Sequence, residues 1–469
     1  MEFDLSHPVF STVASVAKDL NVKVFVVGGY VRDQILKREN KDIDFVVIGN
    51  GERVATEVAQ RLNPELHVTV YKNFGTAMFV FDDLTIEFVG ARKESYSRES
   101  RNPKVDQGTL ADDQNRRDFT INAMAISLNA EDFGTLLDPF TGLNDIEQKI
   151  IRTPLNPDIT FSDDPLRMLR AVRFATQLNF TIETQTFEAL SRNKERLAIL
   201  SNERIAEELN KIILSPKPSI GFKLLSKSGL LQHIIPELEG LKGVDVKNER
   251  KHKDNFFHSL QVLDNISQAT NNLWLRWAAL LHDIGKLKTK RFDEKTGWTF
   301  HGHEVVGVDM VEKIFKRLKL PTNQKLKYVQ KLVQLHMRPI ILAEETVTDS
   351  AVRRLLFEAG DDIDDLMILC DADITSKNSE KVARFLENYR LVRRKLREIE
   401  EKDRLRNFQP PITGEMIMQR FGLPPCKTVG EIKEAIKEAI LDGKIENSME
   451  AAWEYALKVA EDKGIKPVT

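Results

Sequence analysis

The chain has little cysteine, no long apolar run and almost no net charge, and each shortage excludes a class of protein. Cys370 and Cys426 are the only two cysteines in 469 residues, far apart and outside any CxxC pattern, so no disulfide framework exists and a reducing cytoplasm is expected. No segment approaches 18 consecutive apolar residues, and the N-terminal stretch lacks a basic region followed by an apolar one. Neither membrane insertion nor export is expected. A formal net charge of −2 provides no global basic field, so any nucleic-acid contact must rest on local positive patches. At this length, one core is too few, and three or four folded units are expected.

What is present begins at Val24–Ile48. The stretch reads as an apolar strand, a Gly28-Gly29 turn, a short helix with Arg32 and Asp33, a charged turn, and a strand in which Asp42 and Asp44 interrupt apolar residues. Side chains alternate along a strand, so the two acids share one face, roughly 7 Å apart. That spacing suits a pair of Mg²⁺ ions about 4 Å apart. Paired glycines before a helix let the backbone approach a phosphate. Ahead of this stretch, Val9–Leu20 has helical spacing. After it come an expected helix at Glu52–Leu62 and strands at His67–Tyr71, Ala77–Phe81 and Leu84–Val89, with turns at Asn73, Gly75 and Asp82-Asp83. Glu87, polar between apolar neighbours, is either a third acid near the metals or a surface glutamate.

Gly28-Gly29-Tyr30-Val31-Arg32-Asp33 followed by Asp42-Ile43-Asp44 resembles the opening motif of polymerase-beta-type nucleotidyltransferases, and more closely that of class II tRNA nucleotidyltransferases and bacterial poly(A) polymerases. Arg116 to Ala125 matches that family's RRDFTINAMA motif without a substitution. Arg32 and Arg117 are then expected on the triphosphate, and Asn122 on a ribose or phosphate oxygen. Between these motifs, 91–115 is polar and aperiodic and is expected as a loop. In the family, a flexible loop here helps the site switch between nucleotides. Asp138 to Asp145 resembles the family's DPxxGxxDL turn and is expected to join head to neck.

Ser162–Leu178 reads as one helix capped by Ser162 or Asp163. Asp164 and Arg167 then lie three apart on one face, where they either form a plain surface ion pair or meet the Watson–Crick edges of C and A. The segment resembles the family's EDxxR nucleotide-recognising motif, carried by Asp163, Asp164 and Arg167, with Asp163 where many members have Glu; Arg170 joins the expected nucleotide-binding set. Glu203 to Glu208 resembles an ERxxxE motif that braces the neck through buried ion pairs.

From His258 onward, five of the nine histidines stand at 258, 282, 301, 303 and 336. His282-Asp283-Ile284-Gly285 is the HDIG form of the HD phosphohydrolase pattern. Imidazoles and carboxylates in this arrangement suit a divalent transition metal. His258, His282, Asp283 and Asp373 are the expected ligands, with His303 and His336 as candidates for a second metal and Asp371 as the substitute for Asp373. Farther on, Arg390, Arg393, Arg394 and Arg397 form a helical stripe that is either a solvated face or a phosphate contact. After Pro410-Pro411, a helix at Val429–Asp442 belongs to a module resembling the family's RNA-docking tail.

The resemblance implies an α+β protein: a small polymerase-beta-type nucleotidyltransferase head with a mixed sheet (1–145), a mostly α-helical neck (146–240), an HD domain (241–380) and a helical tRNA-binding tail (381–469). It implies template-independent addition of CCA to tRNA from CTP and ATP, with Mg²⁺ at Asp42 and Asp44. The alternatives are a poly(A) polymerase or an A-adding enzyme. From another class comes an HD phosphohydrolase with an RNA-binding head.

Overall fold

In the computed structural model, the described residues are 2–71, 75–97, 100–344, 348–375, 379–403 and 409–468. The expected turn residue Asn73 and the end of the charged helix at 404–408 lie outside them. The chain divides into two units, Met1–Pro236 and Glu237–Thr469.

The first unit is built on a seven-stranded sheet. Its strands are β1 (Lys23–Val27), β2 (Asp42–Ile48), β3 (Thr69–Tyr71), β4 (Thr76–Phe81), β5 (Leu84–Gly90), β8 (Ala125–Ser127) and β9 (Leu136–Leu137). A separate hairpin supplies β6 (Arg92–Ser97) and β7 (Ser100–Gln107). The order is β3-β4-β5-β2-β1-β8-β9; β2 and β5 run parallel and the other pairs antiparallel, so the sheet is mixed as expected. Alternation gives β2 two different faces. Ile43 and Phe45 point into the core, where Phe45 stacks on Phe88 of β5 at 4.7 Å and meets Phe10 of the helix Pro8–Asp19 at 6.1 Å. The opposite face carries Asp42 and Asp44.

Two expectations fail here. The segment 91–115 is not an open loop but the β6–β7 hairpin followed by a helix, Leu110–Asn115, which Thr109 and Asp112 cap reciprocally. Its strands lack the apolar alternation that signals a strand, and the pairing rests on backbone hydrogen bonds that composition does not reveal. Ser162–Leu178 is not one helix. It breaks into Pro157–Asp163 and Leu166–Leu178, with Asp164 extended at φ −133° and ψ 99°, because the residue before Pro165 is driven out of the helical region.

The second unit is helical apart from two short hairpins. Helices Asn255–Ser267, Leu273–Leu281, His303–Arg317, Gln324–Leu335 and Ile363–Asp373 surround a cluster of histidines. Its further helices include Met337–Glu344, Asp349–Ala359, the long helix Ser379–Asp403, Gly414–Phe421, Lys427–Leu441 and Met449–Asp462.

Candidate functional site

The β2–β5 register sets Asp44 directly beside Glu87, and Asp42 beside Thr85. Parallel neighbours point the same way, so Asp42, Asp44 and Glu87 form one acidic face, and Asp44 and Glu87 line a cleft of about 370 Å³ together with Arg92, Arg116 and Arg117. Burial pushes the Asp44 carboxyl up, Arg117 opposes it, and Asp42 and Asp113 push further. Burial likewise raises Glu87, and Asp44 and Asp42 add to it against Arg92. Asp44 and Glu87, raised by burial and by neighbouring carboxylates, lack sufficient positive charge, and divalent cations would supply it.

Gly28 sits at φ +74°, and a Cβ there would lie 2.9 Å from the Arg117 guanidinium. Glycine is therefore needed both for its backbone and for the approach of Arg117 to the acids. Arg117 is oriented by Asp113, which accepts from its Nε at 2.9 Å and also accepts from Arg116. Burial alone would raise Asp113, but the two guanidiniums outweigh it and hold it below the usual carboxylate range. Sequence reading passed over Asp113, although its position three and four residues before the arginines is a helical signature.

Arg32 and Asn122 do not face the cleft freely. Arg32 donates from Nε and Nη2 to both oxygens of Asp33 and from Nη1 to Asn122 Oδ1 at 2.7 Å. Asn122 donates to Asp118 Oδ1 at 3.0 Å, and Arg170 donates to Asp118 Oδ2 at 2.6 Å. The network Asp33–Arg32–Asn122–Asp118–Arg170 ties the Gly-Gly helix to the neck, and the Phe174 ring lies under Arg32, Arg170 and Arg173 at 4.2–5.3 Å. Asp118 is a second omission, since its partner Arg170 lies 52 residues away.

Burial would raise Asp118, but Arg170 and Asn122 bring it down to about 2. A depressed carboxyl stabilises the fold above its unfolded pKa of 3.8, and that contribution fades as pH falls through 2. It amounts to about 2 kcal/mol. In an acid titration of stability, Asp118→Asn should remove this slope between roughly pH 4 and 2, while lowering neutral-pH stability because Arg170 loses its partner; an unchanged slope would contradict the pairing.

In the neck, Asp164 accepts from Leu166 N at 3.2 Å at the break, and Arg167 donates to the Arg116 carbonyl at 2.6 Å. Asp163 ends the preceding helix. Of the expected brace, Glu208 is buried and pairs with Arg173 at 2.7 Å, whereas Glu203 and Arg204 are exposed.

In the second unit, His258, His282, Asp283, His303, His336 and Asp373 converge. Asp283 is shared: Oδ2 lies 3.4 Å from both His258 Nε2 and His282 Nε2, while Oδ1 lies 3.3 Å from His303 Nε2 and 3.8 Å from His336 Nε2. Asp373 adds contacts of 2.9 Å to His258 and 3.6 Å to His282. Asp371 points elsewhere and pairs with Arg393 of the charged stripe, and His301 is exposed.

Three of the rings are fixed in the same way. Nδ1 of His282, His303 and His336 each meets the carbonyl three residues earlier, on Ala279, Phe300 and Val333, at 2.8, 2.9 and 2.6 Å. A neutral ring that donates from Nδ1 presents an unprotonated Nε2, the ligating tautomer. The buried Nε2 of His282 has no hydrogen-bond partner, and this donor set fits a divalent transition metal. Without a metal, burial lowers His282, yet Asp283 and Asp373 outweigh it and raise it to about 10; burial and His282 lower His336 to about 4. Gly285 lets the helix His303–Arg317 approach, since a Cβ there would overlap the His303 carbonyl oxygen. Gly285→Ala should therefore cost about 1–3 kcal/mol in thermal unfolding and weaken metal uptake; a neutral result would contradict this packing.

Three family models match the chain: the poly A polymerase head domain over residues 24–152, the probable RNA and SrmB-binding site of polymerase A over 179–241, and the HD domain over 255–378. An A-adding tRNA nucleotidyltransferase of Deinococcus radiodurans is 34% identical over 73% of this chain and 78% of its own length. A CC-adding tRNA nucleotidyltransferase of Thermus thermophilus is 31% identical over 91% and 92%. An A-adding tRNA nucleotidyltransferase of Aquifex aeolicus is 37% identical over 58% of this chain, and the match spans only 33% of that longer relative. The solved structure of a CCA-adding enzyme with ATP superposes with a TM-score of 0.63 at 25% identity, covering 96% of this chain and 94% of that one.

Proposed function

Since the chain belongs to the tRNA nucleotidyltransferase and poly(A) polymerase family, we propose that it completes the CCA end of tRNA from CTP and ATP without a nucleic-acid template. The observation that carries this is the acidic face of Asp42, Asp44 and Glu87, of which Asp44 and Glu87 share one cleft with Arg117. Asp42 and Asp44, with Glu87 beside them, are the residues to hold Mg²⁺, which when bound supplies the positive charge for a leaving pyrophosphate and for an ionising 3′-hydroxyl.

Arg116 and Arg117, held by Asp113, receive the triphosphate. Arg32 and Asn122 position the helix at Gly28-Gly29 from behind. Asp164 and Arg167 read the base, and the Arg167 bond to the Arg116 carbonyl joins base reading to phosphate binding. The tail supplies tRNA docking, the four-part division at 145, 240 and 380 describes the working segments, and the protein acts in the cytoplasm. Among the described residues, no helix is long and apolar enough to cross a membrane.

The HD cluster is proposed as a separate phosphoester hydrolase centre, where a divalent transition metal would supply an activated water. Lys286, 2.6 Å from Asp283, and Lys253, 3.1 Å from His258, add the positive charge a phosphate needs. The names of the relatives divide between A addition and CC addition, and the alternatives tested are A addition alone and poly(A) tailing. Incubating the protein with tRNA ending before CCA, after C and after CC, with one nucleotide at a time, separates them. CCA addition requires CTP use on the first two substrates and ATP use on the third; ATP use alone, on CC-ending tRNA only, would establish the A-adding reading, and ATP tailing of any RNA a poly(A) polymerase.

A further inference from the structure

A second polar cleft, of about 280 Å³, opens in the unit Glu237–Thr469, lined by Asn272, Trp274, Lys325, Lys327, Tyr328 and Lys331 together with residues beside them. Its floor is rigid. Asn272 donates to the Tyr328 hydroxyl at 3.2 Å, and that hydroxyl donates to Asp365 at 2.6 Å. Trp274 packs against Phe315 at 6.0 Å on the core side and lines the cleft as well. Lys331 is committed to Asp362 at 2.6 Å, while Lys325 and Lys327 are exposed.

The cleft stands apart from the metal cluster in a definite way. Trp274, Tyr328 and Asp365 sit on or beside three neighbouring helices, and eight residues after each comes a member of the cluster: His282, His336 and Asp373. Contacts join the helices at both ends, the Asn272–Tyr328–Asp365 chain at one and the His282, His336 and Asp373 group at the other. The helices therefore run side by side in the same direction, and the cleft lies about 12 Å along them from the metal ligands. Leu275 to Leu281 and Leu332, Val333 and Leu335 are buried between the two ends.

We propose that this cleft binds a nucleoside phosphate, either free or as one residue of an RNA strand. The Trp274 indole that lines the cleft gives a base a stacking surface, and the exposed Lys325 and Lys327, beside the Lys331–Asp362 pair, suit a phosphate. The exposed side chain of Gln324 and the remaining Nδ2 proton of Asn272, whose Oδ1 caps the helix Leu273–Leu281, offer hydrogen bonds to a sugar or base edge. The volume lies just below the usual range for small-ligand sites, so the cleft has room for one nucleotide at most and not a longer segment.

The test is calorimetric titration of the full-length protein with AMP, adenosine, inorganic phosphate and a tri-adenylate RNA. Lys325→Glu with Lys327→Glu changes only exposed residues and leaves the fold and nucleotide addition to tRNA intact. It is expected to weaken AMP binding at one site by about 10-fold or more. Trp274→Phe, which keeps an aromatic ring, is expected to weaken AMP binding less and phosphate binding not at all. Stronger binding of tri-adenylate than of AMP, lost in the lysine variant, would assign the ligand to an RNA strand; the reverse order would assign it to free nucleotide. AMP isotherms identical in wild type and the lysine variant would overturn the proposal, as would phosphate binding as tight as AMP with no effect of Trp274→Phe.

Discussion

Asp44→Ala is expected to reduce nucleotide addition to tRNA by at least about 10³-fold, a loss of ~4 kcal/mol in transition-state stabilisation, in single-turnover assays at saturating nucleotide. Asp44 lies centrally, beside Glu87 across the β2–β5 register and two residues from Asp42 on the same strand face. Removing it leaves the acidic face too weak to collect divalent charge. The same change should not unfold the protein. Burial holds the Asp44 pKa above its ordinary value, so the native state binds the proton more tightly than the unfolded chain does. An acid raised in this way destabilises the fold once pH passes its unfolded pKa, and it costs nothing well below that value. Asp44→Asn should therefore be more stable than the wild type at neutral pH without metal, with the difference vanishing in acid. Loss of activity together with loss of stability would contradict this account of the site.

Asp283→Ala should have a comparably large effect on the other centre. One carboxylate lies within 3.8 Å of four imidazoles, with one oxygen turned to each pair. Its loss removes the group shared by both halves, and the transition metal measured in the purified protein should fall by at least about 10- to 100-fold in affinity. Any hydrolysis of phosphomonoesters or cyclic phosphates should disappear with it, while nucleotide addition to tRNA continues. Metal content equal to that of the wild type would refute the ligand set. A parallel fall in nucleotide addition would show that the two chemistries are not separate.

The two centres were legible in the sequence to different degrees. Asp42 and Asp44 were readable because strand alternation fixes their common face, and Glu87 because a polar residue amid apolar neighbours marks the exposed side of a strand. Which strand Glu87 would adjoin was not readable, since β5 follows β2 by a long detour and pairs with it in parallel. The HD cluster was readable from residue type and spacing. That Asp373 and not Asp371 joins it follows from the turn of the helix Ile363–Asp373, which sends Asp371 to Arg393.

Polar networks were the least legible part. Asp118 and Arg170 meet only once the neck helix packs on the head, and Arg32, read as a phosphate ligand, is largely buried because its guanidinium is spent on Asp33 and Asn122. The β6–β7 hairpin escaped notice for a related reason. Its backbone pairing leaves no apolar pattern in the residues.

The central claim is that Asp42, Asp44 and Glu87 hold divalent metal beside a nucleoside triphosphate. It is tested most directly by crystals of the full-length protein grown with Mn²⁺ and a non-hydrolysable CTP analogue, with anomalous scattering recorded at the manganese edge. The account predicts anomalous peaks between Asp42 and Asp44, with the triphosphate against Arg117. Manganese confined to the HD cluster, with the β2 acids bare in the presence of bound nucleotide, would contradict it.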